Sequence, residues 1–145
     1  MLKTPADEKD TRTSAALQYF TRGYITALLW SSSDTDPVTG EDVHLDEYEL
    51  SKEAAERCAA ECKAFFDANL PNLLRYVEHK EFDPSQGTVW DYAGHDFALT
   101  RNGHGAGFWD RSEVPEDVRD ALTNACGEAG PFEVYLGDDK LVHTL

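Results

Sequence analysis

The chain is poor in positive charge and has no long apolar run. Only 13 of its 145 residues are Lys or Arg, against 28 Asp and Glu, which leaves a formal net charge of −15. That balance disfavours attraction to nucleic acid or an anionic membrane through counterion release, and it favours a basic partner. The most apolar stretch, Ile25 to Trp30, falls far short of the roughly 20 residues a membrane-crossing helix needs. Residues 1–10 show neither the apolar core of a secretory signal nor an Arg-rich transit pattern, so export is not expected. Three cysteines, Cys58, Cys62 and Cys126, are odd in number and lack Cys-x-x-Cys spacing. They read as reduced thiols of a cytoplasmic protein, with Cys58 and Cys62 as small apolar residues on one helix face. Phosphate-loop, dinucleotide and nucleophile-elbow patterns are also missing, so no cofactor is expected. What remains suffices for one core: 41% of the residues are hydrophobic, in a length that suits a single domain.

Residues 1–12 read as a flexible arm, because charge and Pro5 leave nothing to bury, and 13–145 as a single α+β domain. Leu17, Phe20, Tyr24 and Leu28 recur at helical spacing and predict a helix over 14–31; the Asp-, Pro- and Gly-containing stretch 31–44 reads as a surface loop. Asp46 and Glu49 have the spacing of a capping box, flanked by Leu45 and Leu50 as a hydrophobic staple, so a second helix is expected from Glu47. Pro71 should end or kink it near Leu70, with 72–79 as a short helical continuation. Beyond the turn at 83–87 the pattern alternates. Val89–Tyr92 and His95–Arg101 read as strands, and Asn102-Gly103 as a two-residue turn returning the chain over 104–110. A helix over 112–126 and a last hairpin across Gly137-Asp138-Asp139 complete the expectation: two N-terminal helices, then hairpin-helix-hairpin, with helices packed on one face of an antiparallel sheet.

The segment His95-Asp96-Phe97-Ala98-Leu99-Thr100-Arg101-Asn102-Gly103-His104-Gly105-Ala106-Gly107-Phe108-Trp109-Asp110-Arg111, with the later Tyr135-Leu136-Gly137-Asp138-Asp139, resembles a group of small bacteriophage-encoded proteins of unestablished function, many from phages of actinobacteria. The resemblance covers mainly residues 88–143. It implies synthesis in the cytoplasm of an infected bacterial host and an accessory role, and it carries over no catalytic residue.

Two candidate sites follow from the residues. In the hairpin register, Arg101 meets His104 at the tip, while Asp96, Gly105, Gly107 and Trp109 lie on a face of small side chains. Asp96, Arg101, His104, Gly105, Gly107 and Trp109 would then form a platform for a small molecule, with the arginine and imidazole clamping a phosphate or carboxylate. A metal-assisted enzyme would need His95, Asp96, His104 and Asp110 to converge, which this register does not allow, so no metal or catalytic residue is assigned. Asp34, Asp36 and Glu41 faintly resemble a calcium loop, but Thr39 stands where the sharp turn needs glycine. The second candidate is charge itself. Residues 34–56 hold nine acids against Lys52 alone, and 110–139 hold nine against Arg111 and Arg119. Asp42, Asp46, Glu47, Glu49, Glu53 and Glu56 form the expected acidic face. Clustered carboxylates can imitate a nucleic-acid backbone and steer toward a basic groove. The primary expectation is therefore a binding protein for a host or phage protein with a basic surface, a nucleic-acid-like decoy in its sharpest form. No direct nucleic-acid or membrane binding is expected, and the small-molecule site is the alternative.

Overall fold

The computed structural model describes the backbone from Pro5 and side chains from Thr13 to Leu145; residues 1–4 of the expected arm lie outside the described residues, and the backbone of 5–12 belongs to the first helix. In chain order the elements are α1 (Pro5–Trp30), β1 (Ser33–Thr35), β2 (Asp42–His44), β3 (Glu49–Leu50), α2 (Lys52–Ala68), α3 (Leu70–His79), α4 (Val89–Arg101), α5 (Glu116–Ala129), β4 (Val134–Leu136) and β5 (Leu141–Thr144). The fold mixes helix and sheet, with the helices dominant. β1 and β2 form an antiparallel pair inside the expected surface loop, while β3, β5 and β4 make a second sheet. That sheet is mixed instead of antiparallel: β3 runs parallel to β5, and β4 antiparallel to it.

The largest correction is at 89–110, where the expected hairpin is a helix followed by a compact turn. Thr88 caps α4 by accepting the Asp91 amide at 3.3 Å, and the Asp91 carboxylate accepts the Thr88 amide at 2.8 Å, a reciprocal capping box. Asn102-Gly103 ends the helix instead of turning a hairpin. Gly103 has φ +72, its N–H reaches the Thr100 carbonyl at 3.2 Å, and the His104 N–H reaches Leu99 at 3.0 Å. This is a Schellman closure, which needs a left-handed glycine for the same steric reason that a tight hairpin does. The second helix is also displaced. Leu45–Glu47 is a single 3-10 turn, and α2 starts at Lys52 behind Ser51, whose hydroxyl accepts the Ala54 amide at 3.1 Å. A serine three residues before a free amide outcompetes the Asp46–Glu49 spacing because Ser51 is itself pinned by its N–H to Val142. The break at Pro71, the helix near 112–126 and the final strand pair lie close to where the sequence places them.

One main core gathers the helices. Phe20 and Tyr24 from α1, Cys58, Cys62 and Phe66 from α2, Leu73 and Tyr76 from α3, Phe97 from α4, Phe108, and Leu122 and Cys126 from α5 are all inaccessible to solvent. Phe97 stacks on Phe65 with ring centroids 4.0 Å apart and contacts both Phe20 and Tyr24. α1 and α4 lie backbone to backbone: a Cβ on Gly94 would sit 1.8 Å from the Phe20 carbonyl oxygen, and one on Gly23 2.0 Å from that of Asp91. A second, smaller core of Leu45, Leu136 and Val142 ties the 3-10 turn to the three-stranded sheet.

Candidate functional site

The acidic face survives folding as a ledge. Leu45 is buried against Leu136 and Val142, β3 pairs with β5, and Ser51 caps α2. These anchors hold the chain from β2 into the second turn of α2 while its polar residues point out. Asp42, Asp46, Glu47, Glu49, Glu53 and Glu56 are all exposed. None of the six forms an ion pair among the described residues, although Asp42 accepts a bond from the Thr35 hydroxyl at 3.3 Å. Lys52, the single cation of this stretch, is exposed beside them. Net charge of this density, held on an ordered surface, projects a negative field into solvent.

The platform expected on residues 96–109 does not form, because helical geometry sends its members in different directions. Asp96 is 1% exposed. It accepts the Tyr76 hydroxyl at 2.6 Å and two guanidinium nitrogens of Arg111, with Nη2 at 2.6 Å. Burial, and then the neighbouring Asp96 charge, push the Tyr76 phenol well above its ordinary value, whereas the bond to Asp96 raises the Arg111 guanidinium. Arg101 is buried as well. Its Nε donates to the Gly130 carbonyl at 2.8 Å and its Nη2 to that of Ala129 at 3.2 Å, so it ties the end of α4 to the end of α5. His104 and Gly105 are exposed, Trp109 is 45% exposed, and Gly107 packs on α4 with φ +156, where a Cβ would lie 2.1 Å from Thr100 Oγ1. Asp96 and Arg101 therefore serve packing, and no clamp joins Arg101 to His104.

Nor do His95, Asp96, His104 and Asp110 converge; among the described residues no three His, Cys, Asp or Glu side chains come together to hold a metal. The Asp36 carboxylate of the faint calcium loop instead accepts the Val38 and Thr39 amides and pairs with Lys140 at 2.6 Å. Cys58, Cys62 and Cys126 are free and buried, and burial pushes the Cys58 thiol up to about 11 and Cys126 to about 12. Such thiols are inert fillers at neutral pH. Among the described residues no helix is long and apolar enough to cross a membrane.

Sequence reasoning missed a feature beside the ledge. Trp30, 60% exposed at the end of α1, stands with its ring 6.0 Å from that of His95 on α4. Together with Asp46, Ile25, Thr26 and Leu29 they line a cavity of about 420 Å³. The signal was present in the helical spacing: Leu28 closes the buried stripe of α1, so Trp30, two positions on, must face away from the core. No protein-family model, curated protein or solved structure matches the chain.

Proposed function

We propose that the protein acts by binding, through the ledge formed by Asp42, Asp46, Glu47, Glu49, Glu53 and Glu56, a host or phage protein that presents a basic surface. The observation that carries this reading is that six exposed carboxylates lie on one ordered segment and none of them is ion-paired among the described residues. Keeping like charges together costs stability through self-repulsion, and a basic partner relieves that repulsion. In the sharpest form of the proposal the partner ordinarily holds nucleic acid and the ledge competes for the same groove. On the expected resemblance to phage proteins, the proposed encounter is in the cytoplasm of an infected bacterium.

The test is capture from infected-host lysate at low and at high salt, with the wild type and with a variant in which Glu47, Glu49, Glu53 and Glu56 are reversed to Lys. The reading expects a basic protein that is retained at low salt, released at high salt and lost with the variant, while the variant's melting temperature changes little. Nucleic acid added to the capture should displace the protein if it is a decoy's target. Equal capture by the variant would contradict the ledge as the site.

A further inference from the structure

The cavity between the end of α1 and the middle of α4 has a consistent chemistry. Its lining on α1 includes the exposed Trp30 indole, a ring of the kind that attracts cations through its electron-rich face. The last turn of α1 contains no basic residue, so no cationic side chain of that turn offsets the negative end of the helix where Leu29 and Trp30 border the cavity, although the Ser31 and Ser32 amides cap the Ala27 and Leu29 carbonyls. Asp46 supplies an exposed carboxylate without an ion-pair partner among the described residues, and Thr26, Ile25 and Leu29 add to the lining. His95 completes the lining. It is half-buried and its ring makes no hydrogen bond with the described residues.

The neighbouring charges do not cancel this polarity. Thr26 and His95 also line an adjoining cavity of about 520 Å³, which contains Arg22, Lys80 and Arg111. Each of those cations is held by an acid of its own: Arg22 by Asp91 at 2.7 Å, Lys80 by Glu113 at 3.0 Å and Arg111 by Asp96 at 2.6 Å. Among the described residues Asp46 is thus the one charge of the two linings without an ion-pair partner. Burial lowers the His95 pKa below its ordinary value, so the ring is neutral at pH 7 and does not repel a cation.

We infer that this cavity receives an arginine side chain of the basic partner, with the guanidinium over the Trp30 indole and paired with Asp46, and the neutral His95 ring beside it. A guanidinium fits better than an ammonium because it is planar, stacks on an aromatic face and is more weakly hydrated. This inference rests on the ledge as the partner-binding face, and it adds an anchor at the one place where Asp46 belongs to both.

The experiment uses the intact protein and two probes, Nα-acetyl-arginine amide and an octa-arginine peptide, followed by the Trp30 indole N–H and backbone amide shifts in NMR. The single arginine should produce saturable shifts at Trp30, Asp46 and His95, and the citrulline analogue, which lacks the charge, should produce none. Trp30→Ala, at an exposed position, should weaken octa-arginine binding about tenfold, the scale of a partly desolvated cation–aromatic contact; Asp46→Asn should weaken it less. Absence of saturable shifts with the single arginine, or octa-arginine binding that is equal for the wild type and Trp30→Ala, would overturn the pocket. In the second case, binding that still collapses with salt and with reversal of Glu47, Glu49, Glu53 and Glu56 would leave the ledge standing. Shifts with the single arginine but no loss on that reversal would support the pocket and overturn the ledge.

Discussion

The ledge and the α1–α4 seam both hold acids, and they treat them in opposite ways. Along α4 each carboxylate has a cation: Asp91 takes Arg22 across the α1–α4 seam and caps the helix, and Asp96, almost fully buried on another side, takes Arg111 and the Tyr76 hydroxyl of α3. On the ledge, six carboxylates face water with no cation among the described residues paired to any of them. A charge that is desolvated must be satisfied by the fold, whereas a solvated one is available to a partner. The same residue types are thus architectural in one region and free for recognition in the other, and burial separates the two.

That contrast is sharpest where the seam is tightest. Gly94→Ala puts a methyl group into the Phe20 carbonyl, where both atoms belong to backbone and neither can yield. It is expected to cost upwards of about 4 kcal/mol, beyond the ordinary range of single substitutions, as read from denaturant unfolding. Asp96→Ala leaves the Tyr76 hydroxyl buried and Arg111 unpaired, and should cost about 3 kcal/mol by the same measurement, the low end for breaking a buried pair because Arg111 keeps some solvent. Gly107→Val should cost about 1–3 kcal/mol through overpacking on Thr100. Arg22→Gln should act mainly through pH. Burial alone would raise the Asp91 carboxyl, but the bonds from Arg22 and Thr88 hold it below its ordinary value. The stability it contributes is therefore present above about pH 4 and lost as pH falls through the lowered value, so acid melts of the variant should decline less steeply than the wild type. Reversing Glu47, Glu49, Glu53 and Glu56 to Lys should change unfolding stability least per position, by about 0.5 kcal/mol or less for each substitution in the same melts.

The sequence made the ledge legible and the seam illegible for physical reasons. Acids between apolar anchors stay acids whether their backbone is helix, 3-10 turn or strand, so the ledge outlasted a misplaced helix start. The seam depended on the backbone state of 89–101. Trp90, Ala93, Gly94, Phe97, Ala98 and Arg101 follow helical spacing behind a Thr88–Asp91 capping box, yet small residues between aromatic ones also mimic alternation. Asn102-Gly103 then tipped the reading toward a hairpin, because a left-handed glycine serves a helix stop and a tight turn equally. A strand over those residues would present Asp96 and Arg101 as exposed ligands, whereas the helix buries both. Gly23, whose backbone contact with Asp91 opens the way for the crossing, gave no local signal, since close approach of two helices is a tertiary property.

The proposed function depends on where a basic partner touches the chain. Carboxylate-selective cross-linking of the captured complex, read by mass spectrometry, distinguishes the two acid-rich stretches at 34–56 and 110–139 directly. Cross-links concentrated at Asp42, Asp46, Glu47, Glu49, Glu53 and Glu56 are the predicted result. Cross-links confined to acids of 110–139, with the ledge unmodified in the complex, would contradict it.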